Sequence, residues 1–315
     1  MLISVILVSY NTAQMSIDAL HHLYASKGNF ELEVIVIDNA SRDNSVDLIR
    51  LAFPQVKLLV NTNNVGFGRA NNQAIPLING DYVLLLNTDA FIKTDTIDKT
   101  VAYMNLHPRA GVLGVRLVGR DGELQPSCRY FPTVMNLFLQ RAGLSRFFPN
   151  VKYVDDMDWD HATARACDWV PGCYYLIRRE VIEQVGLFDE RYFLYNEEVD
   201  HCKATKNAGW DVVFYPDAEV IHIGGESAKS DGIISQVSRQ LVALQVESEF
   251  LYFRKNHGII VVLQHLFMQM IADIILIIKA ISRVRPLQVL RQHLQHLVLL
   301  TKSAYATRLG HQGTK

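Results

Sequence analysis

The sequence predicts an α/β protein with a mainly parallel central sheet and a C-terminal helical appendage. Three observations carry that reading. Short runs rich in Val, Ile and Leu recur at Leu2 to Ser9, Glu33 to Ile37, Lys57 to Val60 and Tyr82 to Leu86, with helix-compatible stretches between them, the alternation that β-α-β units produce. Each run stops at polar residues: Tyr10-Asn11, Asp38-Asn39, Asn61 to Asn64, and Asn87-Thr88-Asp89. Beyond Ile259 the pattern changes to long apolar stretches, and Leu287, Leu290, Leu294 and Leu297 recur at helical spacing.

Taken in order, Leu2 to Val8 has no basic flank before it and runs straight into Ser9-Tyr10-Asn11. It reads as a buried first strand rather than a signal peptide. In open α/β sheets ligands bind beyond the carboxyl ends of strands, so the four polar sets are expected to converge on one crevice. Asp38 is placed to accept hydrogen bonds from a base or ribose, although an Asp there equally well caps the next helix. If Asn87-Thr88-Asp89 is extended, Asn87 and Asp89 project the same way and Asp89 reaches a metal on a diphosphate; the same three residue types also form turns.

Arg129 to Asp160 holds aromatics and prolines without a clear period and reads as acceptor-side loops. Order returns over Cys167 to Arg178, which includes Trp169 and Gly172, and again at Gly186-Leu187-Phe188-Asp189-Glu190. Tyr195-Asn196-Glu197-Glu198-Val199-Asp200 then opens a helix that Gly209 ends. Glu197, Glu198 and Asp200 suit the dipole of a first helical turn. Beside Tyr192-Phe193-Leu194-Tyr195, one of them also suits a general base whose pKa is raised by desolvation. His222, between apolar residues and Gly224-Gly225, offers a neutral imidazole nitrogen to a metal, or is simply structural.

Composition excludes several classes. With 315 residues, 49% hydrophobic and 20% charged, the chain can bury a full core and is not a disordered one. Cys128, Cys167, Cys173 and Cys202 lack the density of a disulfide scaffold and read as free thiols of a reducing compartment, and the lack of a C-x-x-C pair argues against zinc. No G-x-G-x-x-G follows the first strand and no Walker loop occurs, against a dinucleotide dehydrogenase or a P-loop enzyme. Ser9 to Ser16 lacks the Gly, Lys or Arg that a nucleotidyltransferase needs for a triphosphate. No basic stripe with interleaved aromatics points to nucleic acid.

In this order the segments resemble the GT-A family 2 glycosyltransferases, in particular their rhamnosyltransferase-like bacterial members. The likeness rests on Ser4 to Asn11, Val36 to Ser41, Asn64 to Asn72, Leu86 to Asp89, Gly186 to Glu190 with Glu198-Val199-Asp200, and Val220-Ile221-His222, and it covers roughly Leu2 to Gly225. It implies a nucleotide-diphosphate sugar as donor, with Tyr10, Asn11, Asp38, Asn39, Gly66, Arg69, Asn71, Asn87, Thr88 and Asp89 around it. The family's D-x-D maps to Asn87-Thr88-Asp89, where Asn departs from the pattern and leaves the metal, Mg²⁺ or Mn²⁺, to Asp89 and His222. The Asn also keeps open a catalytically silent sugar-nucleotide-binding or scaffold protein. The acidic pair maps to Glu197-Glu198, with Glu198 as base and Asp200 as its substitute, and Trp169 and Gly172 fall on the acceptor or sugar side. The implied reaction is a single inverting displacement by an acceptor hydroxyl, with dTDP-L-rhamnose as the favoured donor.

The resemblance divides the chain into a catalytic domain at 1–253, with a donor half to about 115 and an acceptor half after it, and a tail at 254–315. The tail has nine Lys or Arg against Asp273 alone, so it carries about +8 and the remainder about −9. Ile259 to Ile278 has the ~20-residue length of a membrane span but is interrupted by Gln264, His265, Gln269 and Asp273. With Lys279, Arg283, Arg285 and Arg291 beside it, the tail suits an anionic membrane surface, with a glycan or lipid-linked acceptor nearby on the cytoplasmic side. The alternative is a helical hairpin that packs on the core or forms a homo-oligomer.

Overall fold

The computed structural model describes residues 1–224 and 234–315, and of 234–238 only the backbone. Gly225, the second glycine after His222, lies outside them. The chain divides into two compact units, one of Met1–Arg129, Met157–Glu190 and Glu197–Val237, the other of Tyr130–Asp156, Arg191–Asn196 and Ser238–Lys315.

The first unit is organised by one mixed sheet. Its strands are β1 (Leu2–Ser9), β2 (Glu31–Asp38), β3 (Lys57–Val60), β4 (Tyr82–Leu86), β5 (Ala90–Ile92), β6 (Ala110–Val118), β7 (Leu124–Gln125), β8 (Arg165–Ala166), β9 (Tyr174–Arg178) and β10 (Asp211–His222). They lie in the order β3-β2-β1-β4-β9-β6-β10-β5, with β7 on β6 and β8 on β10. β3, β2, β1 and β4 are parallel, and β9 runs antiparallel between β4 and β6. The helices of this unit include α1 (Ala13–Tyr24), α2 (Ser45–Ala52), α3 (Phe67–Asn72), α4 (Thr96–Leu106), α6 (Arg179–Val185) and α7 (Glu197–Asn207).

The inner strands are apolar along their whole length because helices cover the sheet. Ile3, Val5 and Leu7 of β1, Val36 of β2 and Leu84 of β4 are buried in one core with Leu20 and Leu23 of α1 and Val101 of α4. Register then fixes where the strands stop. Ser9 pairs with Asp38 and Asp38 with Val60, so β1, β2 and β3 end level with one another. β4 ends at the same edge, where Leu86 pairs with Tyr174, the first residue of β9.

One open alternative is decided here and one reading changes. Ala90 N donates to Asn87 O at 3.1 Å, so Asn87-Thr88-Asp89 is a tight turn between β4 and β5 rather than an extended segment. Arg129 to Asp160 is not all loop: α5 (Val134–Arg141) occupies its middle, in the second unit, started by a reciprocal cap between Thr133 and Asn136. Two turns of helix leave little periodicity, and Asn at the third position is a weaker signal than Glu or Gln.

Apart from α5, the second unit holds most of α8 (Ile234–His257), with α9 (Ile259–Ser282) and α10 (Leu287–Ala306). Polar side chains tie these helices to one another. Asp273 of α9 accepts from Arg141 of α5 and from His296 Nδ1 of α10, the latter at 2.6 Å, and His265 Nε2 of α9 meets Glu249 Oε2 of α8 at 3.0 Å.

Candidate active site

The level strand ends bring the four polar sets to one edge of the sheet. After β1, Asn11 has a positive φ of 53°. Its Oδ1 accepts from Arg42 N at 2.7 Å, and Asn11 N donates to Ser41 Oγ at 2.9 Å, joining the loops that follow β1 and β2. Tyr10 before it is half-buried. Asp38 is fully buried; its Oδ1 accepts from Ser41 N at 3.0 Å and its Oδ2 has no partner. A buried acceptor left unmatched costs ~1–3 kcal/mol, and a donor on a base or ribose would satisfy it.

Asn39 organises the next loop. Its Oδ1 accepts from Val65 N and from the Asn61 amide, and its own amide donates to Asn64 Oδ1. Gly66, at φ 91°, follows as the residue before α3, a conformation that side chains rarely adopt. Arg69 Nε donates to Glu190 O at 2.8 Å, and Asn71 is buried with its amide on Phe67 O.

The turn after β4 is held from both sides. Thr88 Oγ1 donates to Thr12 Oγ1 at 3.1 Å, within a buried cluster of hydroxyls that includes Ser9 and Ser16. Antiparallel pairing sets Ala90 opposite His222, and Ile223 N donates to Asp89 O. The outcome is His222 Nε2 at 3.6 Å from Asp89 Oδ1, both largely buried.

Gln125 decides what that pair can do. Its Nε2 donates to His222 O at 2.8 Å, which fixes the amide so that Oε1 faces His222 Nδ1 at 2.9 Å. Oε1 only accepts, so Nδ1 carries the ring proton and Nε2 presents a lone pair toward Asp89. Burial pushes the His222 pKa down, and Arg129 adds to this against the pull of Asp89. A neutral imidazole nitrogen and a carboxylate facing each other are two acceptors with no proton between them. That donor set fits a divalent cation. Among the described residues no group of three or more His, Cys, Asp or Glu gathers for a metal, so these two would need oxygens from a bound diphosphate, as hard cations accept.

On the other side stands the acidic set, in the first turn of α7. Glu197 and Asp200 are buried and Glu198 is half-buried. Burial raises the Glu197 pKa well above the carboxylate range and the Glu198 charge adds to this. Burial also raises Glu198, against its own backbone N–H, the Arg129 charge and the Gly172 N–H that donates to it. Each has an Oε2 that is buried with no partner.

A continuous path joins the two sides. Glu198 takes the Gly172 N–H, the next carbonyl, Cys173 O, accepts from Asn87 N at 3.0 Å, and Asp89 lies two residues further on. Arg129, whose charge acts on both Glu198 and His222, lies over the Trp169 ring at 4.7 Å, and the two residues pair through their backbones. Sequence reasoning passed over Arg129 and Gln125: Gln125 ends a two-residue strand and Arg129 lies in an isolated bridge, so neither belongs to a segment long enough to show a period.

Comparison with known proteins gives the family. The model of the family described as "Glycosyl transferase family 2" matches residues 4–186. The N-acetylglucosaminyl-diphospho-decaprenol L-rhamnosyltransferase of Mycobacterium tuberculosis is 32% identical over 213 residues, 64% of this chain and 69% of that protein. The dTDP-rhamnosyl transferase RfbF of Shigella flexneri is 25% identical over 262 residues, 80% of each chain. In fold, the chain is similar to the mannosyltransferase PcManGT of Pyrobaculum calidifontis, solved with GDP-Man and Mn²⁺, at a TM-score of 0.54 and 15% identity over 98% of this chain and 86% of that one. The chain therefore belongs to glycosyl transferase family 2, as a rhamnosyltransferase-like member with a GT-A fold.

Proposed function

We propose that the protein moves L-rhamnose from dTDP-L-rhamnose onto an acceptor hydroxyl in cell-surface polysaccharide biosynthesis, with inversion at the anomeric carbon and with Mg²⁺ or Mn²⁺ as cofactor. The observation that carries it is the His222 and Asp89 pair, preset by Gln125, one short path away from the raised carboxyl of Glu198. The choice of sugar is supported by the names of two relatives, and the lipid-linked acceptor by the decaprenol named in one of them.

In the proposed reaction Asp38 Oδ2 accepts from the base or ribose, while the loop of Asn39 and Gly66 shapes the donor side. Asp89 and His222 Nε2 would hold the cation, which when bound would supply positive charge against that of the leaving diphosphate. Arg129 adds a fixed positive charge near the same place. Glu198 takes the proton of the acceptor hydroxyl as that oxygen displaces the diphosphate, so the sugar is attacked once and inverts. Glu197, held well above the carboxylate range by burial and by the Glu198 charge, leaves the ionised role to Glu198, and Asp200 stands two residues away.

The test is a screen of nucleotide sugars for metal-dependent release of nucleotide diphosphate, with the product anomer read by NMR. Release from dTDP-L-rhamnose that stops on chelation supports the proposal. Turnover unaffected by chelation would remove the metal from it, and a retained configuration would remove the single displacement.

A further inference from the structure

Along one stripe, α9 of the second unit is amphipathic in the wrong sense for water. On α9 the buried side includes His265, Gln269 and Asp273, one turn apart, while Ile260, Leu263, Phe267, Ile274, Ile278 and Ile281 are exposed. Phe267 is 60% exposed and Ile281 64%. The exposed residues follow one another at spacings of three, four or seven, so they form one stripe along a helix of 24 residues. Polar residues face inward because they have partners there: Glu249 for His265, and Arg141 with His296 for Asp273. α10 adds Leu287, Leu294 and Val298 to the exposed apolar surface.

In water this arrangement hides the groups that solvent would reward and exposes those it penalises. Against hydrocarbon each preference is reversed. Charge narrows the choice of partner, because exposed Arg283 and Arg285 lie in the turn between α9 and α10 and exposed Arg291 lies one turn into α10. No acidic side chain follows Asp273 in the chain. A second copy of the same surface would set these arginines against arginines, whereas an anionic leaflet would receive them.

We propose that the exposed faces of α9 and α10 dock into the headgroup and acyl boundary of an anionic membrane, with α9 lying along the surface. α9 does not cross, because its polar side is committed to α5, α8 and α10 of its own unit. The inference deepens the reading of a lipid-linked acceptor and rests on it for its purpose, since docking would hold the enzyme where such an acceptor resides.

Full-length protein is sedimented with vesicles of phosphatidylcholine alone and with added phosphatidylglycerol, at low and high salt and without substrate. Binding is expected to anionic vesicles, weakening as salt rises. Phe267→Glu, at an exposed position, should cut partitioning by at least tenfold, and each of R283Q, R285Q and R291Q should cut it by about fivefold. Circular dichroism and light scattering check that the variants fold and report their mass. A dimer broken by Phe267→Glu, or intact protein that ignores anionic vesicles, would overturn docking. Metal-dependent donor hydrolysis by Phe267→Glu should match the parent, which separates the two readings: vesicle binding without hydrolysis sinks only the enzymatic proposal, and hydrolysis without vesicle binding sinks only this one.

Discussion

His222 shows how much one neighbour can decide. A histidine at a strand end offers either nitrogen, in either tautomer, and it is the doubly bonded amide of Gln125 that leaves Nε2 bare toward Asp89. Gln125→Leu should therefore weaken Mn²⁺ binding in the presence of nucleotide diphosphate by ~10- to 100-fold, read by electron paramagnetic resonance or calorimetry. Gln125→Glu, which keeps an acceptor for Nδ1, should recover most of it; equal loss in both variants would mean that Gln125 only fills space. At the base, Glu198→Gln should hold donor affinity within a few-fold yet cut kcat by roughly 10² to 10⁴. If Asp200→Asn is dead and Glu198→Gln is active, the base is Asp200.

The same carboxyl sets a pH dependence. Glu198 must be ionised to take a proton, and its pKa is raised, so the acid limb of kcat/KM should lie above the usual glutamate value of about 4.3. Activity is then present above the raised value and lost as pH falls through it. Because Glu197 and Glu198 are coupled, the limb belongs to the pair. An acid limb at or below the ordinary value would contradict the buried geometry around Glu198.

At the scale of elements, the alternation of apolar runs and polar strand ends made the first four strands legible, since strands buried on both faces carry no competing pattern. Asp38, Asp89, Glu198 and His222 were legible as candidates because each stands where an apolar or aromatic segment stops. How they meet was not: only the antiparallel return of β10 beside β5 sets His222 against Asp89, and a pairing 130 or so residues apart leaves no local mark. β7 has two residues and supplies Gln125, too short for any period. The sequence left Asn87 to Asp89 open between an extended segment and a turn, because Asn, Thr and Asp serve both geometries.

β6 offers a test at this scale. A Cβ on Gly114 would stand 2.6 Å from Val170 Cβ, two residues before the Gly172 that serves Glu198. Gly114→Ala should lower stability by about 1–3 kcal/mol in urea denaturation and should reduce turnover more than it weakens donor binding. Unchanged stability would show that the Val170 segment yields freely.

For the molecule as a whole, the second unit depends on one buried carboxylate. Burial works to raise the Asp273 pKa, but His296 and Arg141 outweigh it and hold the group below the ordinary aspartate range. A carboxyl whose folded pKa is depressed contributes stability that is present above its unfolded value and lost as pH falls through the folded one. Asp273→Ala should cost roughly 2–3 kcal/mol at neutral pH and flatten the acid side of the stability profile, measured by denaturant melts between pH 3 and 7. The sequence marked Asp273 only as a flaw in an apolar run. Its partners lie on α5 and α10, and neither periodicity nor composition announces them.

That unit is also assembled from chain made at very different times. Arg141 and Asp273 are 132 residues apart, and at ~5–20 residues per second a ribosome needs roughly 7–26 s to pass from one to the other. Through that interval α5 has emerged without α9, and the apolar side that α9 will cover faces whatever is nearby. Arg141 is in the same position, a cation waiting for its carboxylate. Synthesis that pauses or ends between them would leave nascent chains with this face open, and such chains are natural clients for a chaperone that holds apolar segments.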